Sequence, residues 1–261
     1  MQSDPFQLRQ RQTIIFFALL AGLTYGAMVI TNYSVVQGFT AIPRAFIWAT
    51  ANFVPDAAAW NRLPRILDKL LETVLMSVAS ATVASALGLV VALLGATTTR
   101  PHPWFSLPTR ALASVFRNID VSAWALILLF SFGQSTYTGF FALFFVTFGF
   151  IVRVMVETID EVGTASVEAL RATGASYLAI ISQSVIPACL PQLISWVLFM
   201  IETNIRSATL VGILTGTGIG FSFDLYYKSM NYSSASLVVL VIVVAVLLIE
   251  ALSNFIRRAV L

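Results

Sequence analysis

Long apolar runs alternate with short polar breaks along nearly the whole chain, and the length of each run predicts a membrane span rather than a core helix of a soluble domain. The first run covers residues 13–31 and follows a polar head that carries Arg9 and Arg11. No small-residue cleavage site follows it, so it reads as an uncleaved anchor. Residues 32–69 mix aromatic, proline and charged positions, among them Pro43, Arg44, Trp48, Trp60 and Arg62, which suits an interfacial segment with a short amphipathic helix. Further spans are predicted at about 71–96, at 119–132 with a start near Ala111, and at 139–156, 190–214 and 235–255. The expected fold is therefore an all-α polytopic membrane protein with six transmembrane helices. Residues 1–70 form an N-terminal anchor helix with an external interfacial segment, and 71–261 form the core.

One stretch breaks the rhythm. Residues 157–190, between the fourth and fifth spans, are mostly polar and rich in acids. Within them 164–172 reads as a short helix, Gly174 as its left-handed cap and Ser176 as the start of a second helix that Pro187 and Pro191 end. Val167, Leu170 and Arg171 fall on one helical face, and this face is expected to project as a docking knob for another protein. An ordinary pair of interfacial helices is the plainer reading.

Composition narrows the class. Of 261 residues, 58% are hydrophobic and 10% charged, which is too apolar for a soluble domain of this size. The single Cys189 excludes a disulfide framework, and the single His102 leaves no cluster for a metal or for acid–base chemistry, so the chain is not expected to be an enzyme. A net charge of +3 from dispersed basic residues gives no nucleic-acid footprint. With both termini in the cytoplasm, Arg9, Arg11, Arg100, Arg110, Arg117, Arg153, Arg171, Arg257 and Arg258 lie inside, and the six other basic residues lie outside or within the membrane. That orientation also puts the polar segment in the cytoplasm. A passive channel would leave such a knob without a role.

The fifth span holds Glu202, Thr203, Asn204, Arg206, Ser207 and Thr209. Ionisable groups within a span face a cavity or a partner. Glu202 and Arg206 are four apart and can pair on one helix face, either as an ion pair that holds helices together or as part of an anion path. Gly212, Gly216, Gly218 and Gly220 follow closely and allow the backbone to leave the helix, with or without a ligand beside it. Asp120 reads as a helix cap or as a substrate contact. Ser77, Ala81, Ala84, Ser85 and Gly88 form a face of small residues suited to close helix packing.

Two motifs carry a resemblance. Glu168, Ala169 and Leu170, then Gly174, then Ser184, Ile186 and Pro187 keep the spacing of the loop E-A-A, three residues, G, nine residues, I-x-L-P. Leu170, Ser184 and Ile186 depart from it at single positions. This resembles the inner-membrane permeases of ATP-binding-cassette importers, in which the loop couples transport to an ATPase. The stretch 202–220, with Glu202, Asn204, Arg206, Ser207, Ala208, Thr209, Gly212, Gly218, Ile219 and Gly220, is similar to phosphonate importer permeases, although Thr217 stands where glycine is more usual.

The resemblance implies a type I importer permease fold in a bacterial inner membrane, surrounded by lipid. It implies a homodimer of permeases, two ATPase subunits that bind ATP and magnesium, and an extracytoplasmic substrate-binding protein. The chain itself would hold no cofactor. Glu168, Ala169, Leu170, Gly174, Ile186 and Pro187 become candidates for ATPase coupling, and Glu202, Asn204, Arg206, Ser207 and Thr209 for the substrate pathway. The implied substrate is phosphonate. Phosphite, hypophosphite, phosphate or another small solute remain alternatives.

Overall fold

The structure, a computed structural model, describes residues 5–162 and 164–260, so Gly163 and the ends of the chain lie outside the described residues. Regular structure among the described residues is helical throughout. The chain divides into two compact units, one ending at Phe53 and one beginning at Val54.

The first unit holds α1 (Pro5–Ile30) and α2 (Val35–Asn52). Residues 9–12, read as part of a polar head, are helical as well, because Arg and Gln are good helix formers and simply extend the apolar run. Ser34 starts α2 by accepting a hydrogen bond from the Gln37 amide.

The second unit opens with α3 (Ala57–Trp60) and α4 (Leu63–Gly95). The division expected at residue 70 thus falls earlier in the packing. Ala59 and Ile66 are buried against Leu237, Val238 and Val241, and Arg62 donates to Ser234 Oγ at 2.7 Å, so this segment belongs with the core. Asp56 caps α3 through the Ala59 amide at 2.7 Å. A hydrogen bond from the Ser233 side chain, and then that amide, hold its carboxyl below the usual range. Pro64 sits in the first turn of α4, where its missing N–H costs nothing. The small residues Ser77, Ala81, Ala84, Ser85 and Gly88 are all buried on one side of α4.

α5 (Ser106–Asn118) and α6 (Val121–Phe132) replace the single third span expected from 111 to 132 and meet at 92°. Two features fit the bend, one local and one from another helix. Asp120 caps α6 by accepting from the Ser122 amide at 2.8 Å, in line with the cap reading. Gly149 on α7 (Thr136–Val162) lets α5 pass close by, since a Cβ there would lie 2.6 Å from the Arg117 amide nitrogen. Phe116 and Trp124 stack across the corner with centroids 5.4 Å apart.

The chain continues through α8 (Thr164–Ala172), α9 (Tyr177–Ile180), one π-helical turn (Ile181–Val185), α10 (Ile186–Thr215), α11 (Gly218–Lys228) and α12 (Tyr232–Val260). Pro187 and Pro191 do not end the second helix of the polar segment, contrary to the sequence expectation. The π turn routes the Ile186 amide to the Ile181 carbonyl, Pro187 falls in the first turn of α10, and Pro191 is carried inside it. Five helices among the described residues are long and apolar enough to cross a membrane, and the bent pair makes a sixth. The fold is an all-α polytopic membrane protein.

Candidate functional site

α8 is fastened to the rest of its unit by one buried side chain and by hydrogen bonds. Val167 is only 1% exposed and packs with Val156, Ile159 and Ile180, while Leu170 rests half-buried on the same cluster. Arg171 reaches back to donate to the Thr98 carbonyl at 2.8 Å. Of the expected docking face, Val167 and Leu170 therefore pack onto the protein's own core, because apolar side chains on so short a helix are more stable buried beneath it, while Arg171 stays exposed. Glu168 and Ala169 are exposed, as are Ser166, Arg171 and Ala172.

The turn beneath α8 is clasped from two sides. Asp160 Oδ1 accepts from both the amide and the hydroxyl of Thr98 at 2.9 Å, so α7, α8 and the end of α4 are tied together. Gly174 has φ +78°, its amide bonds to the Arg171 carbonyl, and the Ala175 amide bonds to the Leu170 carbonyl. This double closure is a Schellman cap, as the sequence predicts. Ser176 then caps α9 through the Ala179 amide. Ser184, a departure from the motif, donates to Ser166 Oγ at 2.9 Å and pins the π turn to α8. Ile186 is half-buried and Pro187 exposed at the start of α10.

The polar residues of α10 fall on different sides. Glu202 is nearly buried and is shared by two cations: Oε1 lies 2.5 Å from Arg206 Nη2 and Oε2 lies 3.4 Å from Arg257 Nη2. The predicted i, i+4 pair is present, and Arg257 from α12 is a third member that sequence reasoning counted only toward topology. Nothing in a separation of 55 residues announces that contact. Arg206 is half-exposed, with Thr203 and Leu210 on the same open side of the helix.

Asn204 turns the other way. Its amide nitrogen lies 2.9 Å from Thr147 Oγ1 and 3.3 Å from Ser80 Oγ, in a buried junction that joins α10 to α7 and α4. Ser207 and Thr209 are half-buried, and the Thr209 hydroxyl bonds along its own helix to the Ile205 carbonyl. The structure thus brings Glu202 and Arg206 together and places Asn204 apart from them.

Above this region the glycines make a tight reversal. Gly216 and Gly218 have φ +70° and +62°, and the Ile219 amide donates to Thr73 Oγ1 at 2.8 Å. Gly212 and Gly220 let the backbones of α10 and α11 touch. Here the glycines serve close packing, and Thr73 fills the turn.

Residues 84–261 match the family described as "Binding-protein-dependent transport system inner membrane component". The chain is 31% identical over 189 residues to the phosphite transport system permease protein PtxC of Stutzerimonas stutzeri, covering 72% of this chain and 69% of that one. It is 28% identical over 186 residues to the phosphate-import permease protein PhnE of Mycolicibacterium smegmatis, covering 71% of this chain and 35% of the relative. A protein of Escherichia coli named for a cryptic phosphonate transport system permease, PhnE2, is 34% identical over 117 residues, which is 45% of this chain and 96% of that one. Among solved structures, an inward-facing conformation of the MetNI methionine ABC transporter matches with a TM-score of 0.66 at 23% identity, covering 75% of this chain and 96% of that chain. At that identity the match shows the fold, which is that of an importer permease.

Proposed function

Because this chain belongs to the family of binding-protein-dependent transport system inner-membrane components, we propose that it is the permease subunit of an ATP-driven importer that moves phosphonate across the bacterial cytoplasmic membrane by alternating access. The observation that carries the substrate reading is the half-exposed Arg206, held by Glu202 on a membrane-embedded helix. A partly neutralised cation attracts an oxyanion without trapping it. The relatives named for phosphite, phosphate and phosphonate transport support a phosphorus oxyanion.

In this reading two partner ATPase subunits bind ATP and magnesium and dock on α8, where Glu168 and Ala169 are exposed. Their closure moves the segment from Glu168 through Leu170 and Gly174 to Ile186 and Pro187. Two copies of the chain enclose the pathway, with Arg206, Ser207 and Thr209 toward it, Glu202 tuning the charge and Asn204 holding the helix in place. An extracytoplasmic binding protein delivers the substrate, and both termini face the cytoplasm. The chain itself carries no cofactor and performs no hydrolysis.

The test is ATPase activity of the reconstituted complex with its binding protein, comparing 2-aminoethylphosphonate with phosphite and phosphate. Stimulation by the phosphonate is expected. The 31% identity to the phosphite permease favours a second reading, phosphite import by the same architecture. Stimulation mainly by phosphite or phosphate would establish that one instead.

A further inference from the structure

Glu202 has two carboxylate oxygens, and the structure gives one to each of two guanidinium groups from different helices. Left alone with Arg206, a carboxylate tends toward a bidentate pair in which both oxygens face one guanidinium and use up its best donors. In the structure Oε2 instead faces Arg257. Its own hold is partial: it acts through one Nη at 3.4 Å, while its Nε is buried with no acceptor among the described residues. Arg206, half-exposed, keeps donors free on the open side of α10. Two cations and one anion leave this cluster with a net charge of about one positive unit.

We propose that Arg257 is a positioning residue for anion passage, which keeps Glu202 from closing on Arg206 and sets the net charge of the cluster at one positive unit. The proposal rests on the reading that the chain carries an oxyanion. It adds a residue near the C-terminal end of α12, and it makes the charge balance, rather than Arg206 alone, the property that governs transport. With a net charge of zero the anion has nothing to draw it in. With two it is held too long to leave.

The test compares wild type with Arg257→Met, Glu202→Gln, the double variant and Arg257→Lys, in the reconstituted complex with its ATPase and binding protein. Initial uptake of 2-aminoethylphosphonate or phosphite is measured beside ATPase activity and co-purification of the subunits. Arg257→Met, with neutral charge at the cluster, is expected to lower uptake about tenfold with the complex intact. Glu202→Gln in the same chain restores the single positive charge and should bring uptake back to within about threefold of wild type, as should Arg257→Lys alone.

A purely structural anchor predicts the opposite, because removing Glu202 as well would deepen the defect or leave it unchanged, and that result overturns the proposal. Should Arg257→Met fail to assemble, Arg257→Gln takes its place, and failure of both assigns Arg257 to folding alone and likewise overturns it. Uptake of oxyanion by wild type together with no rescue sinks only the role of Arg257. No oxyanion uptake by wild type sinks the substrate reading, and this inference with it.

Discussion

Arg171 on α8 donates a 2.8 Å hydrogen bond to the carbonyl of Thr98, 73 residues earlier in the chain, and Thr98 in turn donates twice to Asp160. The projecting helix is thereby fastened to the ends of α4 and α7. α8 thus has a link to α4 and α7 besides the one that Ser184 makes through the π turn to α10. Arg171→Ala should keep the complex assembled but lower substrate-stimulated ATPase activity roughly threefold, since a charge-assisted hydrogen bond with one exposed partner is lost. Unchanged stimulation would show that the buried contacts of Val167 suffice.

Gly174 stands at φ +78° with open space where a Cβ would go. Strain, not crowding, is what a side chain would meet there, at roughly 1–2 kcal/mol. Gly174→Asp should therefore uncouple ATP hydrolysis from uptake, because it distorts the cap and adds charge beside the exposed Glu168. The ratio of phosphate released to substrate taken up measures this. A normal ratio counts against a coupling role.

Arg206→Ala should reduce uptake by at least about tenfold with assembly intact. Membrane expression and co-purification with the ATPase serve as controls. Uptake at the normal rate would make Arg206 a structural residue that only satisfies Glu202.

Asn204→Ala should act on stability. The buried junction with Thr147 and Ser80 loses its donor, at a cost of about 2 kcal/mol. A lower thermal midpoint of the purified complex in detergent is expected. Loss of uptake with unchanged thermal stability would place Asn204 in the pathway after all.

Gly220→Ala is expected to prevent correct folding, because the added methyl overlaps the Thr209 carbonyl where α10 and α11 touch. Gly133→Ala offers a contrast: its φ is +64° but nothing lies near the new Cβ, so it meets only backbone strain. Comparable expression of the two variants would argue against the close contact.

Much of this architecture is legible in the sequence for simple reasons. A membrane span is local, so run length alone locates α1, α4, α7, α10 and α12 to within a few residues at most ends. Caps are local too, which is why Gly174, Ser176 and Asp120 behave as read. The direction of a helix face is not local. Val167 and Leu170 form a real stripe, but a stripe does not say whether it faces a partner or the chain's own core, and the surfaces that decide it come from α7, α9 and the π turn. The bend at Ile119 depends on Gly149, thirty residues away on another helix. Arg257 meets Glu202 only because α12 returns alongside α10.

The π turn at Ile181–Val185 sets the rotational phase between α8 with α9 and the long helix α10. Each residue added to or taken from a helix turns everything beyond it by about 100°. Tightening this turn to ordinary α geometry would swing Glu202 and Arg206 to a new bearing relative to Glu168, with neither motif altered. A single deletion among these five residues would thus leave both motifs intact and out of register with each other.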